Sequence, residues 1–318
     1  MPRPATPEPT GLPNPLTLAQ AKRAGLTREA VAARLRAGDW VRLRRGAYLR
    51  IDDMPEADDQ FVVERRDHVH RAIAAARCNP GSVIAVESAA LLHGMPLVSA
   101  PPALPQLVLR TGHGSSRARA KFREFAFDDD DVVDLGVPVT TRLRTWSDLA
   151  RTGRIRDAVA AGDHLTHLGL VEVDDIRLHA ATAKGRNCRV MRRAAALIDG
   201  RRESPLESWS AVRFAEWGLP APEWQVDIHD DIGQFVGRVD AWWGEQRVIG
   251  EADGLAKYTD REVLVAEKHR EDRLRALGLQ VVRWTWSDLS NEPWRLQVRL
   301  ERALRPRRPL TLGGFPAA

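Results

Sequence analysis

The run VIGEADG, residues 248–254, places two carboxylates, Glu251 and Asp253, on a segment that otherwise reads as a strand inside a sheet. Residues two apart on a strand share a face. A carboxylate taken out of water without a partner is costly. A chain carrying this run must therefore supply a cation, an ion pair or a set of donors beside it. A third acid, Asp240, lies in the preceding apolar run FVGRVDAWW (235–243), with a turn near Gly244-Glu245 between the two. Antiparallel pairing of the two runs brings Asp240 and Glu251 within reach of one ion. Glu207, on the helix that precedes the strands, adds a fourth oxygen source. Lys257 follows Asp253 across Gly254, and Lys268 stands on the next helix. Hard oxygen ligands on adjoining strands suit Mg2+ or Mn2+. With a lysine beside them they are the equipment of a phosphodiester hydrolase. On the plainer reading the acids form salt bridges to Arg238, Lys257 or Lys268. Both readings stand at this point.

The periodicity around these acids predicts a domain over 204–295. A helix spans 205–218, strands run over 224–230, 235–243 and 247–253, a helix over 260–277, and a last strand over 279–286. The order α-β-β-β-α-β predicts a four-stranded mixed sheet flanked by helices. Its expected core is Val226, Ile228, Val236, Val248, Ile249, Val281 and Val282. Trp284 and Trp286 alternate along the final strand and are expected on one partly exposed face. In the stretch 184–204 the runs KGRN and DGRRES are linker-like around a helical periodicity at 188–198, and 296–318 reads as a basic tail.

At the other end, TLAQAKRA (17–24) and TREAVAARLRA (27–37) are short helices joined at Gly25-Leu26, with Thr27 as N-cap. WVRLRRGAYLR follows and turns at Arg45-Gly46, which predicts a two-stranded hairpin. Helix, turn, helix and hairpin make a winged helix-turn-helix over 16–56. In it Arg28, Arg34 and Arg36 on the second helix, and Arg42, Arg44 and Arg45 on the wing, are the candidate DNA contacts. Residues 1–15 hold six prolines and are expected to be a disordered leader. Residues 57–200 read as mixed α/β without a catalytic constellation. The fold class expected for the whole is α/β (α+β): winged helix, mixed middle, mixed sheet flanked by helices.

Composition narrows the function classes. The 48 basic and 43 acidic side chains leave a net charge of +5, so distribution matters more than sum. Arginine and lysine cluster at 42–45, at 117–123 and at 302–308, which favours a polyanionic partner. Nothing reads as a membrane span or a secretory signal. Two cysteines, Cys78 and Cys188, make no disulfide framework, as expected of the cytoplasm. No nucleophilic triad, phosphate-binding glycine loop or zinc spacing is present, so no small-molecule cofactor is expected. His68, His70 and His269 read as helix-surface histidines.

Two family resemblances add to this reading. GRVDAWWGEQRVIGEADGLAKYTD, then LVAEKHREDRLRALGLQVVRWTWSDL, resembles the very-short-patch-repair-like branch of the PD-(D/E)XK nucleases over roughly 204–289. The resemblance implies metal ligation by Asp240, Glu251 and Asp253, with Glu207 as the helix acid. The lysine expected two residues after the second acid is Asp253 here, so the basic role passes to Lys257 or Lys268. Residues 16–151, through LTLAQAKRAGLTREAVAARLRAGDWVRLRRGAYLR, SAALLHGMPL and VPVTTRLRTWSDLAR, resemble AbiEi-type antitoxins and regulators. That resemblance implies a duplex-DNA-binding head and a toxin locus as partner. Two functions follow as expectations: a Mg2+-dependent DNA endonuclease, or an antitoxin-like regulator of a toxin-antitoxin or phage-defence system whose nuclease fold is idle.

Overall fold

The computed structural model describes residues 11–51, 59–109, 116–117, 120–123, 127–254 and 261–305, the side chains of 116–117 and 261–268 excepted. The chain divides into two compact units, 1–196 and 197–318. The architecture is mixed α/β with three sheets among the described residues.

The first unit begins with strand β1 (Leu16–Thr17), helices α1 (Leu18–Arg23) and α2 (Arg28–Ala37), and strands β2 (Trp40–Arg44) and β3 (Ala47–Arg50). Thr17 caps α1 in a reciprocal box with Gln20, and the Thr27 hydroxyl caps α2 at the Ala30 amide, 3.1 Å away. The β2–β3 hairpin turns at Gly46, whose φ of 82° a residue with a Cβ enters only at a cost. The strands form an antiparallel sheet in the order β1-β3-β2. Leu16, Ala21, Leu26, Val31, Trp40 and Tyr48 close its core. This is the winged helix the sequence predicts, with one strand more. Residues 11–15, expected as disordered leader, instead pack on the head. Leu12 joins the core, and the Asn14 side chain pairs both ways with the Arg50 backbone at 3.0 and 3.1 Å.

Helix α3 (Gln60–Cys78) leads into strand β4 (Ser82–Ile84), helix α4 (Val86–Leu92) and strands β5 (Gln106–Leu109), β6 (Ser116–Arg117), β7 (Ala120–Arg123), β8 (Val132–Asp134) and β9 (Pro138–Thr140). The six strands form a mixed sheet in the order β6-β7-β5-β4-β9-β8. Helices α5 (Arg142–Arg151), α6 (Ile155–His167), α7 (Val173–Thr182) and α8 (Cys188–Leu197) complete the unit. Trp146 of α5 is fully buried and donates to the Ala158 carbonyl of α6 at 2.9 Å. His68, expected on a helix surface, is fully buried, with Nε2 2.7 Å from the Ser88 hydroxyl. Burial lowers its pKa to about 4. Between its two linker-like runs, the stretch 184–204 carries the helix expected at 188–198. This is α8, whose Met191 and Ala194 are buried, and Arg202 after it is 4% exposed.

The second unit runs α9 (Pro205–Glu216), β10 (Glu223–His229), β11 (Phe235–Trp243), β12 (Val248–Ala252), α10 (Arg261–Ala276), β13 (Gln280–Trp284), α11 (Trp286–Ser290) and α12 (Pro293–Ala303). Its sheet has the predicted four strands in sequence order. The pairs β10–β11 and β11–β12 are antiparallel, and β12–β13 is parallel across α10. Ile228, Val236, Val239, Ile249, Leu274 and Leu279 form a core with Val226, Trp242 and Val281 against it. Two expectations give way. The strand stops at Trp284, which is 1% exposed among Phe214 and Ser210 of α9, while Trp286 opens α11 under a Thr285 cap. The supposed basic tail begins inside α12, whose Leu296, Leu300 and Ala303 are buried. Residues 306–318, with Arg307 and Arg308, lie outside the described residues.

Candidate functional site

The head presents its arginines unevenly. Arg28 and Arg36 on α2, and Arg42 and Arg45 on the wing, are exposed. Arg34 instead lies over the Trp40 ring at 5.6 Å and donates to the Ala30 carbonyl, so its guanidinium is part of the packing between α2 and β2. Arg44 is half-buried at the end of β2, where the register shifts. A helix with exposed arginines beside a hairpin carrying two more is the surface that a groove-binding helix and a phosphate-contacting wing require.

The second unit holds the carboxylates. Register aligns Ala241 with Gly250 and Trp242 with Ile249, so one further step sets Asp240 opposite Glu251. On the other side of β11 the same count sets Gln225 opposite Asp240, and β13 sets Arg283 beside Glu251. Gln225 adopts φ 56°, a left-handed conformation that an ordinary residue holds only under strain. Its side-chain amide donates to Glu207 Oε2 at 2.9 Å and to Asp240 Oδ1 at 3.4 Å. Asp240 Oδ2 accepts the Ala252 amide at 2.8 Å, across the strand pair. Glu207 Oε1 accepts the Ser204 hydroxyl at 2.6 Å. Glu251, 7% exposed, pairs with Arg270 Nη2 of α10 at 3.0 Å.

All three acids are held above the usual carboxylate range, first by burial and then by one another. Burial raises Glu251 to about 7 against the pull of Arg270, with the charge of Asp240 adding to the rise. Asp240 is raised by burial, and the charge of Asp253 adds to that. Glu207 is raised by burial, and Asp240 adds to that. The four acids thus form one electrostatic neighbourhood, as the sequence spacing implies.

They do not form the expected three-ligand cage. Among the described residues no three His, Cys, Asp or Glu side chains stand as a metal-holding group. Asp240 is turned to a backbone amide and to Gln225, Glu251 to Arg270, and Asp253 lies one residue beyond β12 with its own amide on the Trp284 carbonyl. The ion pairing expected on the plainer reading is present with a different partner. Arg238 pairs with Glu203, and Arg270 takes Glu251. Lys257 lies outside the described residues, and the side chain of Lys268 likewise. Sequence reasoning passed over Gln225 and Arg270. Arg270 lies two residues beyond Lys268 in the run EKHREDR, and a side chain that long on a helix covering the sheet was a candidate counter-ion. Nothing in WQVD signals Gln225.

No helix among the described residues is long and apolar enough to cross a membrane. Two uncharacterized proteins of Mycobacterium tuberculosis, MT2308 of strain CDC 1551 and Rv2248 of strain H37Rv, are 34% identical over 106 residues. The match takes 33% of this chain and spans 39% of those relatives. The crystal structure of the RV2827C protein from Mycobacterium tuberculosis aligns with 67% of this chain and 79% of its own at a TM-score of 0.34 and 14% identity, a likeness from which nothing about this chain follows. Residues 13–51 match the family described as "Transcriptional regulator, AbiEi antitoxin". The winged-helix head is therefore similar to the AbiEi antitoxin-type regulator domain over residues 13–51.

Proposed function

We propose that this protein is a DNA-binding transcriptional regulator of the antitoxin type, acting from its winged-helix head on duplex DNA and paired with a toxin locus. One observation carries the reading: α2 and the β2–β3 wing expose Arg28, Arg36, Arg42 and Arg45 on a head that matches an antitoxin-regulator family. The α2 arginines meet base edges and phosphates in the major groove, and the wing arginines neutralise backbone phosphate. The test is fluorescence anisotropy with duplex DNA from upstream of the protein's own gene, read across salt. Arg42→Ala/Arg45→Ala lowers the slope of log K against log salt by about two units, one for each phosphate that the wing no longer neutralises. An unchanged slope removes the wing from the interface.

A second reading rests on the carboxylates of the other unit. Asp240 opposite Glu251, with Glu207 joined to Asp240 through Gln225, favours a divalent-cation site of the nuclease kind. The donors are hard oxygens, which suits Mg2+ or Mn2+, and the mutual repulsion of the acids is what a cation relieves. The ion would supply Lewis-acid stabilisation of a phosphodiester, and Arg270 would have to release Glu251 to admit it. Asp253 would add a third ligand and Lys257 or Lys268 the basic group. Supercoiled plasmid incubated with the full chain and Mg2+ or Mn2+ tests it, with EDTA and Glu251→Gln as controls. Cleavage no greater than in EDTA leaves the regulator reading alone.

A further inference from the structure

We propose that the first unit binds a small phosphorylated ligand carrying a hydroxyl beside its phosphate, in a cavity of about 420 Å³ lined by Arg123, Arg151, Arg154 and Arg186. The proposal is independent of the DNA-binding head. Cavities of this size hold ligands of sugar-phosphate dimensions. Among the described residues four guanidiniums face two carboxylates there, Glu87 and Asp148, and Asp148 is already matched by Arg144 at 3.0 Å. The lining thus keeps an excess of positive charge. Guanidinium forks fit phosphate oxygens in pairs, which is why arginine serves where a phosphate must be held in one orientation.

The arginines are set by the backbone around them. Arg151, at the end of α5, donates to the Lys184 and Arg186 carbonyls at 3.1 Å and so holds the segment before α8 as one wall. Asn187 in that wall has φ 58° and donates to the Arg151 carbonyl. Arg123 donates through Nε to Gln106 Oε1 at 2.6 Å, which aims it from the six-stranded sheet. Arg186 makes no ion pair among the described residues.

A second observation, separate from the charge, specifies the ligand further. Glu87 is 2% exposed, yet its Oε2 has no hydrogen-bond partner, while Oε1 is 3.6 Å from Arg154. A buried acceptor left unmade costs about 1–3 kcal/mol, and a ligand donor removes that cost once the Glu87 side chain turns Oε2 out of the wall into the cavity. A hydroxyl two or three bonds from the phosphate is such a donor. Among the described residues no aromatic side chain lines the cavity to stack a base.

Isothermal titration of the full-length protein with inorganic phosphate, ribose 5-phosphate, ribose and a single-stranded oligonucleotide tests this. Ribose 5-phosphate should bind at one saturable site, more tightly than phosphate, and ribose should give no heat. Arg186→Ala should weaken it about tenfold or more with the melting temperature and the duplex-DNA affinity unchanged, and Arg123→Ala should weaken it as much while also lowering the melting temperature, because Gln106 Oε1 then loses its donor. Glu87→Gln should narrow the gap between ribose 5-phosphate and phosphate. Absence of saturable binding by either phosphate probe overturns the site, as does binding indifferent to both arginine variants. Equal affinity for phosphate and ribose 5-phosphate overturns the role of Glu87. Arginine-dependent binding of the oligonucleotide alone assigns the cavity to a nucleic-acid backbone and overturns the small-ligand proposal.

Discussion

Glu251 is the residue at which the second unit is most sensitive to pH. Its folded pKa of about 7 stands above the ordinary 4.5, so the folded state holds the proton longer than the unfolded one. The second unit is therefore favoured below about pH 4.5, and that part of its stability is lost as pH rises through 7. Thermal melts of wild type and Glu251→Gln from pH 4.5 to 8 should show the wild type falling more steeply. Parallel curves would mean the carboxylate is ionised throughout. Arg270→Ala leaves that carboxylate buried without its cation and should cost about 3 kcal/mol at pH 8, less at pH 5, where the proton does the work of the arginine. Denaturant midpoints at the two pH values check the difference.

At the level of elements, the tightest contact is between a strand and a tryptophan. A Cβ at Gly250 would lie 2.6–2.7 Å from the Trp284 ring and 3.0 Å from the Ala241 side chain. The ring cannot yield, because Phe214 meets it edge-on at 5.4 Å and its Nε1 donates to Ser210 at 2.7 Å. Gly250→Ala should destabilise the unit by about 1–3 kcal/mol or more, the range for overpacking a filled core. A midpoint unchanged in urea would show that the strand can shift away from α9. In the head, Thr27→Ala removes the cap of α2 and should cost about 1 kcal/mol. DNA affinity should fall with it only as far as α2 frays, which circular dichroism reads separately.

For the whole molecule, two compact units predict separable behaviour. Residues 1–196 expressed alone should keep the full-length affinity and salt slope for duplex DNA. Loss of binding in that fragment would move the DNA contact to the second unit. Residues 197–318 alone should melt cooperatively and retain the pH dependence set by Glu251. A fragment without a cooperative transition would show that this unit needs the rest of the chain to fold.

Local sequence determined most of the elements and their order. Thr27 and Gly46 mark the second helix of the head and its hairpin, and the alternation through β10–β13 yields the four-stranded sheet. Those features are legible because caps, turns and period-two burial depend on neighbours in the chain. Adjacency of Asp240 and Glu251 was legible too, since a short turn fixes register. What each acid then binds was decided in three dimensions. Arg270 arrives from α10, nineteen positions after Glu251, and Gln225 arrives from β10 through a left-handed residue with no sequence signature. Trp284 is buried rather than surface-facing because α9 covers that side of the sheet, and α12 is held by leucines inside what reads as a charged tail. Partner choice among side chains far apart in sequence is a property of packing, and only the packed chain expresses it.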